Sequence, residues 1–143
     1  MTLPLFAQIK EDLTVLDSWE DKYRYLLDLG KSLDPLPQSL CTPLKKVSGC
    51  VSQLWVDVSL QRTEANEYRI SLRGDSDAHI VRGLAALIFS LYQGSTPKEA
   101  LSLDVFCLLK DINLENHLTP QRSNGLHALV GRIRKDIQAL QIP

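Results

Sequence analysis

Two runs of alternating apolar residues constrain this chain more than anything else in it. Leu54, Val56, Val58 and Leu60 recur at every second position, and so do Tyr68, Ile70 and Leu72. Strand side chains alternate between faces, so each run commits one face to a core and leaves the other wet. On the wet face of the second run stand Glu67, Arg69, Ser71 and Arg73. The polar link from Gln61 to Asn66 is short enough to make the pair an antiparallel hairpin. The spacing predicts strands over 51–60 and 67–73. A hairpin this small is marginal in water unless something covers its apolar face.

The cover is readable in the rest of the chain, where the apolar spacing is helical. Phe6, Ile9, Leu13 and Leu16 form one stripe, predicting a helix over 4–16. Ser18 can cap a second helix over 19–32, with Asp21 three residues on in a box-like arrangement. Its buried side is Trp19, Tyr23, Leu26, Leu27 and Leu33, with Gly30 a weak point or the end. The prolines at 35 and 37 make 34–43 a loop, and Leu44-Lys45-Lys46-Val47 reads as a short edge strand. Ile80, Val81, Leu84, Leu87, Ile88 and Leu91 make 77–93 the central helix, with Gly94 to end it. Thr96-Pro97-Lys98-Glu99 is a capping box for 97–103, and Phe106–Leu114 reads as a further apolar helix. Thr119-Pro120 opens the last helix, 120–140, whose stripe is Leu126, Val130, Ile133, Ile137 and Leu140. The expected fold is α+β: a small antiparallel sheet with helices packed mainly on one side, in a single domain over 1–143.

At the head of the first strand stands Val47-Ser48-Gly49-Cys50-Val51-Ser52-Gln53-Leu54-Trp55-Val56. Cys50 and Ser52 share the parity of Leu54, Val56 and Val58. If the strand begins near Val51, the thiol leans toward the core at the strand's open end. Gly49 permits backbone conformations closed to other residues and leaves room beside the sulfur. The same features also suit an ordinary buried cysteine. Gly-Cys-Val-Ser-Gln-Leu-Trp-Val resembles the active-cysteine signature of the SufE family, the sulfur-acceptor proteins of cysteine desulfurases. Residues 74–84, Gly-Asp-Ser-Asp-Ala-His-Ile-Val-Arg-Gly-Leu, resemble that family's second signature. Residues 117–126, His-Leu-Thr-Pro-Gln-Arg-Ser-Asn-Gly-Leu, resemble its third. With Trp19-Glu20-Asp21-Lys22-Tyr23, the resemblance covers nearly the whole chain. Val51 departs from it, since the family often has a glutamine there.

The resemblance implies a SufE/IscU-like fold and a persulfide carried on Cys50. It implies two partners, a PLP-dependent cysteine desulfurase (SufS- or CsdA-like) and an iron–sulfur scaffold complex (SufBCD-like), in the cytoplasm. Ser48, Gly49, Gln53, Asp75, Ser76, Asp77 and Arg122 are candidates for the site rim or the partner contact. Asp75, Ser76 and Asp77 are also what a helix start requires, and capping alone accounts for them. Arg122 falls in the first turn of the last helix, where a cation opposes the dipole, so an exposed Arg122 is either a docking contact for an outside partner or a simple surface arginine. Gln53 and Trp55 lie opposite the apolar parity, on a covered sheet surface or a partner contact.

Composition narrows the class further. The chain has 143 residues, 44% hydrophobic and 23% charged, with net charge −1. That balance argues against a broad nucleic-acid footprint. No apolar run is long enough to span a membrane, and the first residues lack the pattern of a secretory signal. Three cysteines without a CxxC pair suit a reducing compartment rather than a disulfide framework. Cys107 reads as core, and Cys41 as a bystander or a resolving thiol. His79, His117 and His127 lack metal-site spacing and read as solvated or structural. No resident metal or cofactor is expected. The alternatives are an iron–sulfur scaffold of the IscU type using Cys41, Cys50 and Cys107, a cysteine hydrolase, and a structural interaction domain.

Overall fold

The computed structural model describes residues 3–33 and 36–140; Asp34 and Pro35, in the expected proline-rich loop, lie outside the described residues. Among the described residues, six α-helices and one hairpin follow in the order α1 (Phe6–Thr14), α2 (Trp19–Gly30), β1 (Leu54–Arg62), β2 (Tyr68–Ser76), α3 (His79–Tyr92), α4 (Pro97–Leu101), α5 (Val105–Asp111) and α6 (Pro120–Ala139). The fold is α+β, as the patterning predicts. β1 and β2 pair antiparallel, with Leu60 opposite Ile70, Val58 opposite Leu72 and Val56 opposite Gly74. These positions share one face, and α3 and α6 pack against the two strands. Leu54, Val56, Ile70, Leu87, Ile88, Phe89 and Ile133 are all essentially without exposure. Helix α3 buries ten of its fourteen residues, which makes it the centre of the core.

Several elements end where local chemistry directs. The Ser18 side chain accepts from the Asp21 amide at 3.1 Å. Thr96 and Glu99 form the reciprocal capping box expected of α4. Thr119 caps α6, with Pro120 in its first turn. Asp104 caps α5 by accepting from the Cys107 amide at 3.1 Å, a start signal that the apolar reading of 106–114 passes over.

The hairpin departs from expectation at both ends. β1 begins at Leu54 rather than near Val51, and β2 runs on to Ser76 rather than stopping at Arg73. Gly74, Asp75 and Ser76, expected to open α3, pair instead with Val56, Trp55 and Leu54. Continuing the ladder satisfies the backbone on both strands, and that outweighs a local capping preference. Helix α3 consequently starts at His79 behind Ala78, without a side-chain cap. The Leu44–Val47 stretch is edge-like over one bridge, Lys46 with Trp55. The Val47 amide donates to the Leu54 carbonyl at 2.7 Å, and the Val56 amide to the Lys45 carbonyl at 3.0 Å. Below this stretch, on the wet face of the sheet, Asp57 pairs with Lys45 at 2.9 Å and with Arg73 at 3.1 Å.

Candidate functional site

Cys50 follows the anchored Leu44–Val47 stretch by three residues. Ser48 and Gly49 are exposed. Gly49 has φ +90°, a left-handed conformation that a side chain would strain. This reversal turns the chain so that Cys50, half-buried, packs against the core. The bend over 50–53 is not strand, so strand parity does not reach Cys50, and the Gly49 turn directs it instead.

The thiol lines a pocket of about 280 Å³ between β1, α3 and α6. Its walls are mainly apolar, with Leu54, Ile80, Leu84, Leu126 and Leu129 prominent, and Arg122 stands among them. Space for the sulfur comes from Gly125 in α6, where a Cβ would lie 3.3 Å from Cys50 Sγ. The sequence held a faint sign of this role, a glycine one residue before an apolar stripe that otherwise favours helix. Val51, at the position of the family's frequent glutamine, is 78% exposed and lies on the pocket rim.

Burial pushes the Cys50 thiol up from its ordinary value, the Ser52 amide offsets part of that, and the nearby Asp77 charge adds to it. The pocket therefore holds a protonated, shielded thiol at neutral pH. Moving the sulfur outward would relieve the burial that raises its pKa.

The other candidates serve the frame around this loop. The Gln53 amide donates to Asp77 Oδ1 at 3.1 Å, and Ser76 Oγ donates to the Gln53 carbonyl at 2.6 Å. Ser76 Oγ also accepts from the Ala78 amide at 3.2 Å. Asp75 stands 3.2 Å from Arg82 as an ion pair. None of them caps α3; Ser76 and Asp77 clasp the exit of the Cys50 loop to the end of β2, and Asp75 ties β2 to α3. Arg122 is half-buried rather than exposed, and its guanidinium lies 5.8 Å from the Tyr23 ring centre. That ring gives the cation an internal neighbour, which weakens the case for an outside one drawn from its place in the helix. Trp55 is half-covered, with the Lys46 bridge alongside.

Cys107 is exposed, contrary to its reading as core. Its neighbours Val105 and Leu109 are the buried residues of α5, so Cys107 falls on the outer face. The Cys41 thiol lies 3.9 Å from the Leu36 carbonyl, and burial followed by the Asp75 charge pushes it up. His117 stacks on Trp19 and His127 on Phe106, with ring centres 4.8 and 4.0 Å apart. Among the described residues no group of three His, Cys, Asp or Glu side chains is placed to hold a metal ion. No described helix is long and apolar enough to cross a membrane.

Known proteins resemble this chain in sequence and in fold. A model of the SufE family, described as an Fe-S metabolism associated domain, matches residues 7–137. An uncharacterized SufE-like protein of Rhizobium etli is 45% identical over 129 residues, covering 90% of this chain and 86% of that one. Another, of Rhizobium meliloti, is 39% identical over 131 residues, covering 92% and 93%. The solution structure of a hypothetical protein from Thermus thermophilus superposes with a TM-score of 0.75 over 97% of both chains; at 22% identity that likeness speaks for the fold alone. The chain belongs to the SufE family of Fe-S metabolism associated domains.

Proposed function

We propose that this protein accepts sulfur from a PLP-dependent cysteine desulfurase on Cys50, stimulates that enzyme, and delivers the sulfur to iron–sulfur cluster assembly. The observation that carries the reading is the seat of Cys50, a half-buried thiol on a turn at the mouth of an apolar pocket. Residues 1–143 act as one domain in this role, in the cytosol where thiols stay reduced. Carbon–sulfur cleavage, with its pyridoxal chemistry, belongs to the partner.

The transfer is a thiol exchange. The Cys50 thiolate attacks the outer sulfur of the desulfurase persulfide, the sulfur–sulfur bond of that persulfide breaks, and the desulfurase thiolate leaves. Cys50 then carries the persulfide, and no external oxidant or reductant is consumed. Retracted into the pocket, the product is shielded from reductants. Extended, the thiol escapes the burial that keeps it protonated. The rim around Cys50 makes the contact, with Arg122 as the candidate charge.

The test is intact mass after incubation with a desulfurase and cysteine. A reductant-sensitive gain of one sulfur atom, mapped to Cys50, is expected. Cys50→Ser abolishes stimulation of sulfide release and leaves binding largely intact. Arg122→Ala weakens binding, and the persulfide still forms at high desulfurase concentration. Full stimulation by the serine variant refutes the relay.

A further inference from the structure

Helix α6 runs beside the chain that leads to Cys50 and meets it at three successive levels. Gly125 makes room for the Cys50 sulfur. Ala128 lies against Gly49, where an added Cβ would come within 3.3 Å of the Ala128 methyl. One turn further, Arg132 donates from Nη1 to the Lys46 carbonyl at 2.9 Å and from Nη2 to the Leu44 carbonyl. Spacings of three and four residues keep these contacts on one side of the helix.

Arg132 is itself held in place. Its Nε lies 3.0 Å from both carboxylate oxygens of Asp136, one turn on. The two side chains are only 22% and 27% exposed. All three guanidinium nitrogens are thus engaged, two of them with a segment more than eighty residues away in sequence. A planar fork of donors suits two nearby carbonyls in a way that an ammonium does not. Between those carbonyls, the Lys45 carbonyl accepts from the Val56 amide of β1. The stretch is gripped from the sheet on one edge and from an arginine on the other.

We propose that Arg132, braced by Asp136, is a positioning residue that fixes the Leu44–Val47 stretch to α6 and so sets how deeply Cys50 is carried into its pocket. Its functional meaning rests on Cys50 as the sulfur-bearing residue; its structural content does not.

The test is alkylation of the full chain by iodoacetamide, read by peptide mass, with the exposed Cys107 as internal reference. Arg132→Ala is expected to raise the Cys50 rate roughly tenfold, equivalent to about 1.4 kcal/mol, and to leave Cys107 unchanged. Arg132→Lys, whose single ammonium replaces the fork with one donor group, brings the rate only part of the way back. Asp136→Asn gives a smaller rise, roughly threefold, and decides the matter if the alanine variant does not fold. An unchanged Cys50 rate, or an equal rise at Cys50 and Cys107, overturns the proposal. Cys50→Ser in the desulfurase assay tests the relay separately, so either idea can fall while the other stands.

Discussion

Between Leu44 and Val47 the backbone finds partners on both sides: the carbonyls of 44, 45 and 46 and the amide of 47 all engage β1 or Arg132. Between Ser48 and Ser52 no backbone–backbone hydrogen bond ties the chain to another element among the described residues. Order resumes at Gln53, whose amide and carbonyl are taken by Asp77 and Ser76. Five residues without such a tie, between two fixed ends, form a short arm, and the sulfur sits in the middle of it. Side-chain packing of Cys50 in its pocket, rather than the ladder, holds the arm down. The difference teaches where motion is cheap: freeing the arm costs a packing contact and no backbone pairing.

The strongest way to break this contrast is to fill the seat. Gly125→Val places methyl groups where the sulfur rests, and overpacking of this kind costs roughly 1–3 kcal/mol. The arm can relieve that strain by swinging out, so the Cys50 alkylation rate should rise roughly tenfold or more. In the desulfurase assay the persulfide should still form and be lost faster to reductant. An unchanged rate with a lowered melting temperature would show that the pocket is not the seat of Cys50.

The anchored side yields a smaller effect on stability. Burial alone would raise the Asp57 carboxyl, but the Lys45 ammonium and the Arg73 guanidinium outweigh it and hold it below the usual carboxylate range. Asp57→Asn removes the charge that steadies Lys45, and should cost roughly 1–2 kcal/mol at neutral pH by denaturant titration. Because the folded-state pKa is depressed, this contribution is fully present above the unfolded carboxylate value of about 3.9. It is lost as pH falls through the lower folded value. The gap between parent and variant should therefore be wide at neutral pH and close in acid. A gap that does not depend on pH would mean that charge pairing is not what Asp57 contributes.

The two regions were unequally legible in the sequence. Local signals read well: the caps at Ser18, Thr96 and Thr119, the α6 stripe, and the alternation of β1. Those depend on neighbours three or four residues away, or on period alone. The frame of the site did not read, because its partners are distant. Nothing near Arg132 announces carbonyls at 44 and 46, and nothing near Gln53 announces Asp77. The Asp75–Asp77 segment looked like a helix cap because residue types that cap a helix also close a loop. The ladder to Leu54 decided between them. Cys107 misled because its run is apolar in composition, whereas only one side of α5 faces inward. Strand parity predicts Cys50 beside the core, yet it is the turn at Gly49 that puts it there.

Asp77 offers the smallest and most selective change at the boundary between the free arm and its fixed exit. Its Oδ1 accepts from the Gln53 amide, and its charge acts on the Cys50 thiol. Asp77→Asn keeps an acceptor oxygen for the Gln53 amide and removes only the charge. Burial is the leading cause of the raised thiol pKa and the Ser52 amide the next influence, so the Asp77 charge contributes least of the three. The sign is nevertheless fixed: a negative neighbour disfavours the thiolate, so its removal should move the midpoint of the alkylation rate against pH to lower pH. The high-pH plateau should stay where it is, because access to the sulfur is unchanged. Cys107, measured in the same samples, should be alkylated at the same rate in parent and variant. A raised plateau with an unmoved midpoint would instead mean that Asp77 acts through the clasp on Gln53. The fixed end of the arm would then extend to the side chain of Asp77 rather than stopping at the backbone.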